Sequence, residues 1–69
     1  MSTKKEALSE REKQVARLSY LGKINKEIAS EMGISVRTVE THKTHIYHKL
    51  GINNIVELMR YVADHEDIF

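Results

Sequence analysis

The sequence predicts an all-α domain made of four helices. It contains no proline, only three glycines and four aromatic residues, and no stretch alternates apolar and polar residues as a strand would. Each glycine, at positions 22, 33 and 51, follows a segment of helical periodicity, as expected where a helix ends in a positive-φ residue. The glycines therefore divide the 69-residue chain into four helical segments. A chain of this length forms one small domain.

The first helix is predicted to begin at Ser9. Ser9 and Glu12 form a capping-box pattern, and the helix runs to about Leu21. Its inward residues are predicted to be Val15, Leu18 and Leu21. Residues 1–7 show no apolar periodicity, so we expect a flexible arm there and a domain over residues 8–69.

The second and third helices are predicted to form a helix-turn-helix. Asn25 is expected to cap a short helix over residues 26–32, with Ile28, Ala29 and Met32 facing inward. A short turn then leads to Ser35, which is expected to cap a helix over residues 36–50. A small residue such as Ala29 permits close helix crossing. An ordinary αα-hairpin shares these features, so the geometry alone leaves that alternative open.

A wheel of the third helix separates an apolar face from a polar face. The apolar residues are Val36, Val39, Ile46 and Leu50. Near the opposite pole lie Arg37, Thr41, Thr44 and His48, flanked by Glu40 and His45. A helix face that only meets solvent usually carries Glu/Lys pairs. This face is poor in such pairs and rich in threonines, which weaken helices. Short hydroxyl side chains suit close approach to phosphates and base edges, which favours nucleic-acid recognition over simple solvation.

The fourth helix carries two apolar stripes. Asn53 or Asn54 is expected to cap it, and it runs to about His65. Ile55, Leu58 and Val62 are assigned to the domain core. Val56, Met59 and Ala63 form a second stripe, which either packs under another element or forms an interface.

Composition and charge argue against several classes of protein. There are no cysteines, and the longest apolar run has three residues, too short for a membrane span or a signal peptide. We therefore expect a cytoplasmic protein. Net charge is +1, but residues 36–50 are basic and residues 56–69 are acidic, so one region suits a polyanion.

Neither a metal site nor an active site is predicted. His42, His45 and His48 recur every three residues, but they spread around the helix and lack a fourth ligand. No nucleophile, base and orienting group share one face. We therefore expect no metal, no cofactor and no catalytic residue.

Four segments together resemble one known family. They are residues 8–12 (LSERE), Gly22 with residues 25–29 (NKEIA), residues 34–35 (IS) with residues 38–42 (TVETH), and Ile46 with residues 49–52 (KLGI). Their order and spacing resemble the LuxR-type (GerE-like) helix-turn-helix domain of bacterial transcription regulators. The resemblance implies that helix 3 is the recognition helix in the DNA major groove and that helix 4 pairs two copies.

The resemblance implies roles for individual residues. It implies phosphate contacts from Lys26, Thr38 and Lys49, and base contacts from Glu40, Thr41 and Thr44. The hypothesis of DNA binding adds Ser35 and Lys43 as phosphate contacts and Arg37 as a base contact. Position 40 is often lysine in the family, so Glu40 predicts an unusual preferred sequence and lower affinity, since a carboxylate repels phosphates.

The leading hypothesis is sequence-specific binding of double-stranded DNA in bacterial transcription regulation. The domain would be the C-terminal effector of a response-regulator-like protein or a stand-alone regulator. Its expected partners are DNA, a second copy through helix 4, an upstream receiver or sensor domain, and RNA polymerase. The alternative is a helical protein-interaction module that has lost DNA binding, which the small net charge and Glu40 would favour.

Overall fold

The computed structural model describes residues 7–69 and has four α-helices in the predicted order. They are α1 (Glu10–Tyr20), α2 (Asn25–Met32), α3 (Val36–Leu50) and α4 (Ile55–Asp64), followed by a single 3-10 turn over Glu66–Ile68. None of the residues from 7 to 69 lies in a strand. The all-α helix-turn-helix prediction is confirmed. The predicted arm, apart from Ala7, lies outside the described residues.

Three of the helix starts use the predicted caps. Ser9 and Glu12 form a capping box, in which the Glu12 N–H donates to Ser9 Oγ at 3.1 Å and the Ser9 N–H donates to Glu12 Oε1 at 2.9 Å. Ser35 caps α3 and Asn54 caps α4 through their side-chain oxygens. Short-range pairing of this kind satisfies amide groups that have no partner within the helix.

The predicted Asn25 cap of α2 is wrong. Asn25 is the first residue of the helix, and Ile24 precedes it in extended conformation. The Ile24 N–H is satisfied by Glu27 Oε1 at 3.0 Å. The Glu27 carboxylate thus satisfies a main-chain amide at this end of α2, although the N-cap residue, Ile24, has no polar side chain.

Tight glycine turns end α2 and α3. Gly33 and Gly51 both have φ near 69°, in the left-handed region that disfavours other residues. After Gly33, the Ile34 N–H donates to the Ala29 carbonyl at 3.0 Å, and Ile52 donates to the Tyr47 carbonyl at the same distance. These bonds terminate each helix, and the first fixes the angle at which α3 leaves α2.

A small apolar core joins α1 to the other three helices. Its buried members are Val15, Ala16, Ile28, Ala29, Val39, Ile46, Leu50, Leu58 and Val62. Three residues predicted to face inward are instead substantially exposed: Leu21 (60%), Val36 (39%) and Ile55 (36%). Each lies at or next to a helix end, where the chain is turning and no neighbouring helix covers the apolar side.

The C-terminal residues fold back onto the domain. Tyr61 stacks on His65 with ring centroids 4.0 Å apart, and Phe69 meets Tyr61 edge-on. Arg17 Nη1 donates to the Phe69 carbonyl oxygen at 3.0 Å. Asp64, Glu66 and Asp67 remain exposed, so the acidic charge stays on the surface while Phe69 packs against the core.

Candidate nucleic-acid interface

The outward face of α3, defined here as Arg37, Glu40, Thr41, Thr44 and His48, is fully on the surface. All five residues are exposed, whereas Val39, Ile46 and Leu50 on the opposite side are buried. The buried side anchors α3 in the core, so the outward face presents one rigid array of a guanidinium, a carboxylate, two hydroxyls and an imidazole. These groups carry both donors and acceptors of the kind that read base edges.

The start of α3 presents two coupled hydroxyls. The Thr38 N–H donates to Ser35 Oγ at 3.0 Å, and the hydroxyl oxygens of these two residues are 2.9 Å apart. Ser35 is exposed and Thr38 is half-buried. Because only one of the two hydroxyls need donate in this pair, the other proton is free for an external acceptor such as a phosphate oxygen.

The far half of α3 borders a shallow groove. Its volume is about 370 Å³, and its lining residues are Thr44, His45, His48 and Lys49. The Thr44 hydroxyl lies within it and donates to the Glu40 carbonyl at 3.1 Å. Two histidines and one lysine give this end of the helix its capacity to meet an anion.

Lys49 is tied to the first helix. Its Nζ lies 2.8 Å from Glu12 Oε1, and the two side chains are 23% and 6% exposed. Burial would raise the pKa of the Glu12 carboxyl, but hydrogen bonds from Lys49 and Ser9 outweigh it and leave the pKa lowered. Sequence reasoning assigned Glu12 only to the capping box and missed this pairing.

Lys43 lies in a different groove from Lys49. Its volume is about 420 Å³, and it is lined by Ser19, Gly22, Lys23, Ile24, Asn25, Lys43, Ile55 and Met59. Burial lowers the pKa of the Lys43 amine. The Ser19 hydroxyl and the Asn25 side-chain oxygen are buried in this groove without a hydrogen-bond partner. Lys43 therefore does not share the groove that borders the outward face.

Lys26 and two of the three residues of the second stripe of α4 are exposed. Lys26 is exposed in the first turn of α2. On α4, Val56 is 63% exposed and Ala63 is exposed, whereas Met59 is half-buried and also lines the Lys43 groove. Leu58 and Val62 occupy the core side, so α4 does have two distinct apolar surfaces, as the stripe pattern predicts.

Two further properties bear on other classes of site. Among residues 7–69, no three histidine or acidic side chains are grouped closely enough to hold a metal ion. Within the same range, no helix is both long and apolar enough to cross a membrane.

The match to a known protein family agrees with the helix-turn-helix fold. The family described as bacterial regulatory proteins, luxR family, matches residues 6–62. The chain belongs to the LuxR family of bacterial regulatory proteins. Its helix-turn-helix, with a polar outward face on α3, is therefore that of a family of transcriptional regulators rather than enzymes.

LuxR-family relatives support the assignment over most of the chain. The transcriptional regulatory protein UhpA of Escherichia coli is 43% identical over 63 residues, 91% of this chain and 32% of UhpA. The oxygen regulatory protein NreC of Staphylococcus aureus is 50% identical over 54 residues, 78% of this chain and 25% of NreC.

Solved structures of response regulators have the same LuxR-type fold. The response regulator ChrA of a heme-sensing two-component system superposes with a TM-score of 0.83 and 33% identity, covering 96% of this chain and 33% of ChrA. RcsB of Salmonella typhimurium gives a TM-score of 0.81 and 33% identity over 84% of this chain and 28% of RcsB. This chain thus spans a quarter to a third of the length of these relatives.

Proposed function

We propose that this LuxR-family domain binds double-stranded DNA sequence-specifically through the outward face of α3. The observation that carries the proposal is that exposed polar array on a helix whose other side is locked into the core. A rigid helix with short side chains fits the major groove, where each base pair offers a distinct pattern of donors and acceptors.

Base contacts are proposed for the exposed residues Arg37, Glu40, Thr41 and Thr44. The Arg37 guanidinium suits a guanine edge, and the Glu40 carboxylate suits the amino group of cytosine. The two threonines offer a hydroxyl and a methyl group each, and the methyl suits thymine.

Phosphate contacts are proposed for two groups of residues that flank the outward face. Near the start of α3 they are Lys26, Ser35 and Thr38. Further along they are Lys43 and Lys49. Such contacts fix the position of the helix on the duplex without reading its sequence. The exposure of Lys26 and the free hydroxyl proton of the Ser35–Thr38 pair favour the first group as the main anchor.

We also propose that the domain acts in a larger assembly in the cytoplasm, on the nucleoid. Response regulators such as ChrA and RcsB are three to four times longer than the stretch that matches this chain. A receiver or sensor domain is therefore a proposed partner, with RNA polymerase as a further one. Two copies would pair through Val56, Met59 and Ala63, and an apolar stripe on a small domain suits such pairing.

The decisive test is selection of duplexes from a randomised pool, followed by binding measurements at several salt concentrations. We expect one motif to be enriched and log affinity to fall with log salt with a slope near −4 per bound monomer, for about four neutralised phosphates. A flat salt dependence with no enrichment would instead favour a protein-interaction module. That second candidate is supported by Glu40 on the outward face and by the small net charge of +1.

A further inference from the structure

One carboxylate connects the start of α1 to the end of the proposed recognition helix. Glu12 Oε1 accepts from the Ser9 main-chain N–H at 2.9 Å and from Lys49 Nζ at 2.8 Å. Glu12 is one of only two polar residues buried among residues 7–69, the other being Ser19. Within the same range, the Glu12–Lys49 pair is the only ion pair that reaches α3.

The Lys49 ammonium keeps capacity for a second partner. An ammonium group has three donors, and Glu12 takes one of them. The Lys49 side chain is 23% exposed and lines the groove with Thr44, His45 and His48. Lys49 therefore borders both the buried carboxylate and the surface proposed to meet DNA, with its position fixed by Glu12.

We propose that Glu12 is a positioning residue for DNA binding, holding the Lys49 ammonium at one place beside the α3 groove. This rests on the proposed function, because it names how one of the proposed phosphate contacts is controlled. Held in this way, Lys49 meets only a phosphate that arrives at that place, as it does when α3 sits in register in a preferred site. Against duplexes in other registers, the Glu12 carboxylate offsets the lysine charge.

This arrangement favours specific over non-specific binding. A freely moving lysine follows any phosphate and strengthens binding to all sequences alike. A lysine fixed by a buried carboxylate loses little conformational entropy when a correctly placed phosphate arrives, and it contributes little elsewhere. Glu12 thus raises the ratio of specific to non-specific affinity without touching DNA.

The test compares the wild-type chain with Glu12→Gln and with the double variant Glu12→Gln/Lys49→Gln. Glutamine keeps an oxygen that accepts from the Ser9 N–H, so the capping box can persist. The probes are the duplex enriched by the wild-type chain and the unselected random pool. The control is Glu10→Gln, which removes the same charge from an exposed side chain in the same turn of α1.

Glu12→Gln is expected to tighten binding to the random pool, to steepen its salt slope by about one unit, and to reduce the specific-to-non-specific ratio about tenfold. Glu10→Gln should change that ratio less than twofold. The double variant has the same local net charge as the wild type, so its slope on the random pool should return to the wild-type value while its ratio stays low.

Three results separate this proposal from its rivals. If the double variant keeps the wild-type ratio of specific to non-specific affinity, the proposal is overturned, because a fixed Lys49 contact then does not contribute to that ratio. A lower melting temperature of Glu12→Gln, together with equally weaker binding to both duplex probes, also overturns the proposal, because Glu12 then contributes only to stability. If Glu12→Gln alone fails to fold, the double variant decides, since two amides can still hydrogen-bond. Absence of duplex binding by the wild-type chain would instead defeat the proposed function itself.

Discussion

The Thr44 hydroxyl donates a hydrogen bond of 3.1 Å to the main-chain carbonyl of Glu40, one turn earlier in α3. This bond occupies the only proton of the hydroxyl and fixes its orientation on the helix. The methyl group and the remaining lone pairs are therefore what Thr44 offers to a base. Of these, the methyl suits contact with the methyl group of thymine.

We expect Thr44→Ala to change discrimination at one base pair by about 1 to 3 kcal/mol, because it removes the methyl contact. Thr44→Val keeps a methyl and should retain most of the preference. Competition binding with single-base variants of the selected duplex measures both. If valine loses as much as alanine, the hydroxyl rather than the methyl reads the base.

Thr41→Ala should change discrimination at a different base pair by a similar amount, about 1 to 3 kcal/mol. Thermal stability should change by no more than about 0.5 kcal/mol, because Thr41 is exposed and remote from the core. Melting curves followed by circular dichroism check this. A strongly destabilised Thr41→Ala protein would mean that Thr41 packs against the domain and is not a recognition residue.

Glu40→Lys is expected to tighten non-specific DNA binding. Glu40 is exposed on the outward face, so the change replaces a charge that repels phosphates with one that attracts them. The salt slope on a random duplex pool should steepen by about one unit or more. Glu57→Lys on α4 gives the same change of charge on a different helix, and equal effects of the two would mean that Glu40 does not face the duplex.

Local patterns in the sequence were sufficient to predict the helices and three of their features. The Ser9–Glu12 capping box and the glycine turns depend on residues within a few positions of each other. The outward face of α3 follows from periodicity alone. Each depends on residues that are close together in the chain, so it can be predicted from the sequence.

Features that depend on distant residues could not be predicted. Helical periodicity places Leu21, Val36 and Ile55 on apolar faces, but it does not say where a covering helix stops. The Glu12–Lys49 pair joins residues 37 positions apart, and no local pattern distinguishes it from two solvated charges. The packing of Phe69 against the core is missed for the same reason.

Lys26 and Lys43 should differ in their effect on DNA affinity. Lys26→Gln is expected to reduce the salt slope by about one unit for every duplex, because its exposed ammonium releases a counterion on binding. Lys43→Gln should reduce the slope by less, because Lys43 is half-buried in its own groove and its ammonium is less accessible to a phosphate. Equal reductions would show that Lys43 extends out of that groove to reach phosphate.

The Glu12–Lys49 pair should make the free energy of unfolding depend on pH in the acidic range. The pKa of Glu12 is lowered in the folded protein, so its stabilising contribution is complete above the unfolded value of about 4.3 and is lost as pH falls through the lower folded value. At pH 7, Glu12→Gln should cost roughly 1 to 3 kcal/mol. The gap in unfolding free energy between wild type and variant should shrink below pH 4.3. A constant gap down to pH 2 would contradict the pairing.

Pairing of two domains through α4 can be tested at Val56. Val56 is 63% exposed, whereas Met59 partly packs within its own domain and lines the Lys43 groove. Val56→Glu is therefore a cleaner test of the proposed interface than any change at Met59, because it alters the surface without opening the core. Gln14→Glu, an exposed change on α1 that adds the same charge, serves as the control.

Two-fold pairing through α4 would place two recognition helices about one DNA turn, or 34 Å, apart on an inverted repeat. Because the stripe is small, the domain alone should pair weakly, and DNA should promote the pairing. Val56→Glu should then abolish cooperative binding to a duplex with two half-sites while leaving single half-site affinity within about twofold. Gln14→Glu should preserve cooperativity. If Val56→Glu remains cooperative while folded, two bound copies meet through another surface, and the apolar stripe of α4 must be assigned to a different partner.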